Sequence, residues 1–475
     1  MRCLALAVAA SCVVAGGSDR ASAQPPRPPN VVVILADDLG YGDLGSYGAP
    51  NIRTPRLDRM AAEGQKWTSF YAQAVCSPSR AALLTGRLPV RNGMFGTPAA
   101  GAMKVFRDNA AKGLPRDELT IAEVLKSAGY ATGMVGKWHL GQLPEYLPTR
   151  QGFDRWFGLP YSHDMRMTVP RENGLRSTPY YQPRPEYWDV PLFRNEDVVE
   201  RPVDHRTLTK RYTEEAVRFI QEHRAAPFFL YMAHSLPHIP LARSEAFVGH
   251  SAGAIYGDVV EEIDWSVGQV VDALRAAGIE RDTLVVFTSD NGPWLPFRDH
   301  GGSAGPLRSG KGTTWEGGVR VPAVFSWPGT LKPGVITEIG ATLDLLPTIA
   351  ALAGARVPPD RPLDGHDLGP VLRGAGPGAR HEIYYYWDSE LRAIRRDRYK
   401  AHFVTSDAYG IGEPRTSHAT PLLYDLASDP GERFDVASEH PEVVAALTAA
   451  AEAHRRAVVP AAPLFDELLP ASPKP

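Results

Sequence analysis

The chain has 475 residues, enough for several domains of about 150 residues or for one large α/β domain with an appendage. With 43% hydrophobic and 22% charged residues it has the composition of a globular protein, which excludes a disordered chain. Lysine plus arginine number 51 against 54 acidic residues, a formal net charge of −3, so the basic excess of a general nucleic-acid or anionic-membrane binder is missing.

Met1-Arg2 gives a short positive start, Cys3 to Ser18 is an uncharged run rich in Ala, Val and Leu, and Ala21-Ser22-Ala23 is a small-x-small cleavage site. This is the grammar of a secretory signal peptide, so residues 1–23 are expected to be removed and the protein exported, periplasmic or secreted. The run is too short for a bilayer core of about 30 Å, and no later stretch approaches the ~18 apolar residues a span needs. Tethering as a lipoprotein through Cys12 is the alternative, although Ala9-Ala10-Ser11 before it lacks the usual leucine. Cleavage removes Cys3 and Cys12, leaving Cys76 alone and no internal disulfide. No Asn-x-Ser/Thr sequon is present.

Residues 24–29 form a proline-rich linker. Val31 to Ala36 is a continuous apolar run, the pattern of a buried parallel strand. Thr54-Pro55 followed by Leu57, Met60, Ala61 and Gly64 predicts a helix with an N-cap, a first-turn proline and a terminal glycine. Thr120 to Gly129 repeats that grammar, with Glu123 completing a capping box. Strands are predicted at Ala131 to Val135, Pro227 to Ala233 and Thr283 to Thr288, and helices at Tyr212 to Arg224, Ile255 to Ala277 and Asp344 to Ala353. This alternation predicts an α/β fold, a large mostly parallel sheet with helices on both faces. Residues 354–380 are rich in Gly, Pro and Arg, and we divide the chain there: a main domain over 30–370 and a smaller one over 371–475. The latter is expected to hold an antiparallel sheet, with strands at Ile383 to Trp387 and Tyr399 to Val404, and a helix from Pro441 to Arg456.

Asp37-Asp38 stand at the carboxyl end of the first buried strand, where open α/β sheets bind ligands. Adjacent carboxylates repel unless a cation neutralises them. Asp290-Asn291-Gly292 repeats the arrangement after another buried strand, and on its own would read as a turn. Together the two acidic ends supply hard oxygen donors suited to Ca²⁺ or Mg²⁺. Cys76, in Cys76-Ser77-Pro78-Ser79-Arg80, reads either as a buried free cysteine in a loop before a helix or as a thiolate activated by Arg80. Gly305 to Lys311 matches part of a phosphate-binding loop, but Gly312 replaces the required Ser or Thr. His234 and His238 have zinc-helix spacing, which Pro237 between them breaks. Lys137, His139 and Lys311 sit among glycines, in Gly136-Lys137-Trp138-His139-Leu140-Gly141 and Gly310-Lys311-Gly312, which would let backbone and cationic heads approach an anion.

Cys76-Ser77-Pro78-Ser79-Arg80 with Leu84-Thr85-Gly86-Arg87 resembles the signature of the type I, formylglycine-dependent sulfatases. Asp37 to Asp43, Gly136 to Gly141, Tyr161-Ser162-His163-Asp164, Thr288 to Gly292 and Gly310 to Gly318 resemble further motifs of that family, and Leu423 to Leu426 with Asp429-Pro430-Gly431-Glu432 its C-terminal region. The similarity runs from about residue 28 to 465 and is nearest the arylsulfatase A and N-acetylgalactosamine-6-sulfatase branch. It implies an alkaline-phosphatase-like α/β fold and conversion of Cys76 to 3-oxoalanine (formylglycine) by a maturation enzyme that reads Pro78 and Arg80. It further implies one Ca²⁺, with Mg²⁺ as a substitute, on Asp37, Asp38, Asp290, Asn291 and residue 76. Arg80, Lys137, His139, Ser162, His238 and Lys311 would line the sulfate pocket.

On this resemblance the reaction is hydrolysis of a sulfate monoester, of a small molecule or a saccharide, through a covalent sulfo-enzyme. One hydroxyl of the aldehyde hydrate attacks sulfur, His238 or Lys311 protonates the leaving alcohol, and His139 deprotonates the second hydroxyl. Preorganised positive charge around the sulfate is what such a reaction needs most. The rivals are a phosphomonoester or phosphonate hydrolase of the same superfamily and a catalytically dead sulfate-binding protein.

Overall fold

The computed structural model describes residues 28–97, 104–170, 172, 174, 177–408 and 412–470. The signal peptide and residues 24–27 of the linker lie outside the described residues. Among them the main sheet comprises β1 (Asn30–Ala36), β2 (Gln65–Tyr71), β3 (Ala131–Gly136), β4 (Arg155–Gly158), β5 (Leu192–Arg194), β6 (Asp197–Glu200), β7 (Phe228–Ala233), β8 (Thr283–Ser289), β9 (Arg320–Ser326), β10 (Gly334–Ile336) and β11 (Gly340–Ala341). Their order is β10-β2-β9-β8-β1-β7-β3-β4-β5-β6, with β11 also on β2. Strands β8, β1, β7, β3 and β4 run parallel; β9 runs against β8 and β2, and β5 and β6 form an antiparallel edge.

Side-chain alternation along β1 shows why its run is wholly apolar. Val31, Val33 and Leu35 enter one core and Val32, Ile34 and Ala36 the other, so both faces are covered. Helices Pro55–Glu63, Leu208–His223 and Ala254–Ala276 lie on the Val32 face, and Cys76–Thr85, Ile121–Ser127 and Leu345–Ala353 on the Val31 face. The capping box at Thr120 forms as its sequence predicts, Thr120 and Glu123 exchanging side-chain and backbone bonds. Thr54 does not cap the helix it precedes. Its hydroxyl instead accepts from the Gly45 N–H and donates to Asp58.

Four further strands, β12 (Glu382–Trp387), β13 (Glu390–Arg396), β14 (Tyr399–Thr405) and β15 (Thr416–Asp425), form a separate antiparallel sheet covered by the helix Pro441–Ala457. No helix among the described residues is long and apolar enough to cross a membrane.

Candidate active site

Register decides where the chemistry gathers. In the β1–β8 pair Ala36 lies opposite Ser289, so Asp37-Asp38 and Asp290-Asn291 leave the sheet side by side at its carboxyl edge. Gly136 lies opposite Ala233, which sends Lys137 and the His234-to-His238 segment out at the same edge. β2 and β4 end there too, carrying Cys76 and Ser162, while antiparallel β9 begins there, with Lys311 in the loop before it. Strands distant in sequence thus deliver their following residues to one place.

Cys76 is not in a loop. It is the first residue of the helix Cys76–Thr85, entered from extended Val75, and Pro78 fits because first-turn N–H groups need no intrahelical acceptor. Its Sγ lies 3.4 Å from Asp37 Oδ1, 3.8 Å from Asp38 Oδ1 and 3.3 Å from Lys311 Nζ. Burial pushes the thiol well above its ordinary pKa despite Lys137 and Lys311, so the unmodified side chain is a protonated, weakly nucleophilic thiol. Thiolate activation by Arg80 is therefore not seen.

The ligating atoms of Asp37, Asp38, Cys76 and Asp290 all lie within 4.8 Å of one another, a buried cluster able to hold a metal ion. Asn291 turns its amide nitrogen to Asp38 Oδ1 at 2.8 Å, and its buried Oδ1 has no partner. Orphaned buried oxygens are rare because desolvation costs about 1–3 kcal/mol. An oxygen donor left over beside three carboxylates fits a hard cation.

Three cations face the three carboxylates. Arg80 is fully buried and bonds Asp290 Oδ2 through Nε at 3.0 Å and Nη2 at 2.9 Å, with Nη2 also 3.4 Å from Asp37 Oδ1. Lys137 Nζ donates to Asp37 Oδ2 at 2.6 Å, and Lys311 Nζ to both oxygens of Asp38 at 2.7 and 2.8 Å. The two lysines expected to line the pocket thus each stand on one of the acids expected to hold the ion. The carboxylates respond unequally. Burial raises Asp37, but Lys137 and Arg80 outweigh it and hold the group well below the usual range. Asp290 is pushed up to about 7 by burial and by Asp37, against the pull of Arg80.

Gly136 and Gly310 are required by close backbone packing. A Cβ on Gly136 (φ +105) would sit 1.8 Å from the Ala233 carbonyl, and one on Gly310 2.3 Å from the Pro293 carbonyl. His139 has φ +60 and Asp38 φ +67, non-glycine left-handed residues that cost about 1–2 kcal/mol each.

His139 is buried, with Nε2 2.9 Å from the Phe106 carbonyl. That oxygen can only accept, so the proton sits on Nε2 and the unpartnered Nδ1 carries the lone pair. Burial, with Lys137 and Arg80, depresses its pKa well below the ordinary value. Ser162 follows β4 with a buried hydroxyl that makes no hydrogen bond. His238 Nδ1 lies 2.6 Å from the Ile239 carbonyl, which leaves Nε2 directed at Asp38 Oδ2, 3.7 Å away. His234 belongs elsewhere, near Ser266. Sequence reasoning missed Trp294, whose ring lies 5.3 Å from His238 and 4.4 Å beneath Lys311 Nζ, and His163, packed edge-on to His238. His163 stood in the Tyr161-to-Asp164 motif without a role, and only its place three residues after Asn291 pointed to Trp294.

A buried acid–cysteine cluster at the carboxyl edge of a parallel sheet, ringed by cations, is a site for an anionic ester. The sulfatase family model matches residues 29–355, and that of the C-terminal region of aryl-sulfatase matches residues 378–473. The chain is 46% identical to arylsulfatase A of Bos taurus over 441 residues, covering 88% of this chain and 85% of that protein. It is 40% identical to N-acetylgalactosamine-6-sulfatase of Mus musculus over 467 residues, covering 92% and 88%. Among solved structures it is similar to the PsFucS1 sulfatase from Pseudoalteromonas sp., with a TM-score of 0.79, 29% identity and 90% of each chain covered. The chain belongs to the sulfatase family and is an arylsulfatase-like hydrolase of sulfate esters.

Proposed function

We propose that this sulfatase cleaves aryl or sugar sulfate monoesters with residue 76 as formylglycine and one Ca²⁺ held by Asp37, Asp38, Asp290, Asn291 and residue 76. The observation that carries the reading is the place of Cys76, inside the carboxylate cluster and beside Lys311, where burial makes a plain thiol a poor nucleophile. When present, the aldehyde hydrate supplies one hydroxyl to attack sulfur and a second whose deprotonation expels sulfate. A Ca²⁺ held by these residues would supply Lewis-acid polarisation of the sulfate. Mg²⁺ would substitute less well, wanting a smaller and stricter shell.

The remaining roles belong to side chains described above. With all three carboxylates ionised, the three cations balance them, so a divalent ion held there would leave the pocket positive, as an anionic ester requires. Arg80 anchors Asp290 and Asp37, while Lys137 and Lys311 would exchange a carboxylate oxygen for a sulfate oxygen. Ser162 offers its unpartnered hydroxyl to the same anion. His139 Nδ1, which carries the lone pair and has no other partner, would take the proton from the second hydroxyl. Burial and Lys311 hold His238 neutral, and the charge of the ester offsets both, so His238 takes up a proton at Nε2 with substrate and yields it to the leaving alcohol, with Lys311 beside it.

Cys76, Pro78 and Arg80 are all buried in the folded chain, so a formylglycine-generating enzyme would act before folding is complete. Export by the 1–23 signal peptide, and a boundary near residue 370 between catalytic and C-terminal regions, belong to the same proposal. The test is mass analysis of the peptide containing residue 76, together with turnover of a chromogenic aryl sulfate beside sulfated glycosaminoglycan fragments. An aldehyde that reacts with sulfite in every active preparation is expected. Full activity from a protein whose residue 76 is entirely thiol would overturn the mechanism.

A further inference from the structure

We propose that His163 is a positioning residue for His238, holding the turn that aims Nε2 of His238 at the leaving-group oxygen. The inference rests on the proposed role of His238 at the leaving alcohol. His163 follows β4 and is completely buried. Its Nε2 lies 3.0 Å from the Pro240 carbonyl, an acceptor only, so that nitrogen carries the proton; Nδ1 has no partner.

His238 uses the carbonyl one residue earlier, its Nδ1 donating to Ile239 at 2.6 Å. Two successive carbonyls of one turn are thus each engaged by an imidazole: Ile239 fixes the tautomer of His238, and Pro240 is fixed by His163. The rings also pack. His163 stands edge-on to His238, centroids 5.6 Å apart at 69°, and is backed by His205 at 5.1 Å and 85°. Trp294 supports His238 from 5.3 Å. Without the donor on His163, the Pro240 carbonyl would be buried and unpaired, and the turn would lose the bond that sets its angle. A shift of about 1 Å in a catalytic group can cost on the order of 10²-fold in rate.

Protonation of the leaving oxygen matters most when the alcohol is a poor leaving group, and this separates positioning of His238 from a merely structural role. The experiment compares kcat/KM across substituted phenyl sulfates for matured wild type, His163→Phe, His163→Gln and His238→Ala. His163→Phe keeps the ring packing but has no donor; His163→Gln restores one. We expect His163→Phe to lose roughly 10- to 100-fold on the least activated ester and under about 3-fold on 4-nitrophenyl sulfate, as part of the ~10²–10⁴ that general acid catalysis supplies. His163→Gln should stay within about 3-fold throughout. If the Phe variant does not fold, His163→Asn, too short to reach the Pro240 carbonyl, carries the same expectation. A uniform loss over the series, or none, overturns the role of His163. No steepening in His238→Ala would instead overturn the role of His238 itself.

Discussion

Two of the buried clusters of charge among the described residues are finished differently. At the junction with the antiparallel sheet, Lys400 Nζ donates to the Thr314 carbonyl at 2.7 Å and to Glu316 Oε1 at 2.9 Å, and lies 3.2 Å from Glu432 Oε1. Glu316 Oε2 accepts from Tyr71 and Arg320, and Glu432 takes the Glu316 N–H and His402. Every charged atom of Glu316, Lys400 and Glu432 is used, though His402 Nδ1 and the Tyr385 hydroxyl are left over. At the active site the same degree of burial leaves Asn291 Oδ1, Ser162 Oγ, His139 Nδ1 and His163 Nδ1 unpartnered. The carboxyl pKa values differ in part, since at the active site Asp37 is held low but Asp290 is not. Burial raises Glu316, but Lys400, Arg320 and Arg395 outweigh it and hold the group at about 2, whereas Asp290 stands at about 7. A saturated cluster holds structure together, and one with loose ends is completed by ion and substrate.

The contrast can be broken most severely at residue 76. Cys76→Ala should lower sulfate release by on the order of 10⁴-fold or more, the scale of losing a nucleophile, while the melting temperature stays near wild type. A large loss of stability would show that the site is structural after all. At the junction the effects should invert. Lys400→Met leaves Glu316 and Glu432 buried without their shared cation and should cost about 3–5 kcal/mol in denaturant unfolding. Since Glu316 opens the segment after Lys311, turnover should fall only as far as folding does. An unchanged unfolding midpoint would contradict the assignment.

Titration sharpens the comparison with a smaller effect. Asp290 has a folded pKa near 7, above its unfolded value near 4, so its contribution is complete below about pH 4 and is lost as pH rises through 7. Glu316 has the opposite sign: its contribution is complete above about pH 4.5 and is lost as pH falls toward 2. Chelated protein should therefore lose stability between about pH 4 and 7, and Ca²⁺ should remove most of that loss, since the ion replaces the proton. A chelated protein whose melting temperature rises across this range would refute the assignment. The smallest effect belongs to neither cluster: Thr120→Ala, at the capping box, should cost about 1 kcal/mol and leave activity and calcium response untouched. Calorimetry beside an activity assay checks this.

Sequence made the central strands legible because burial on both faces leaves few polar positions: β1, β3, β7 and β8 lie where predominantly apolar segments place them. β2 escaped because Lys66, Thr68 and Ser69 interrupt its run, and β9 because Pro322 stands inside it. The partners of β12 and β14 were missed for a related reason, β13 carrying three arginines and β15 a mostly exposed first half. The helix at Leu208 begins before Tyr212 since no strong cap marks its start. Asp37, Asp38, Asp290 and Asn291 could be paired from sequence because each doublet ends a readable strand. The pairing of Lys137 with Asp37, of Lys311 with Asp38, and of His163 with Pro240 could not, because each joins segments whose distance only the sheet order sets.

The account turns on the carboxylate cluster being completed by a cation, and a calcium titration of melting temperature at pH 8, in wild type and Asp290→Ala, tests that most directly. Wild type should rise with free Ca²⁺ by mass action, about 2.7 kcal/mol at one hundred times the dissociation constant, with activity lost on chelation and restored by the ion. Asp290→Ala should show little of either response. Full activity and an unchanged melting temperature in demetallated wild type, or a wild-type calcium response in Asp290→Ala, would contradict it.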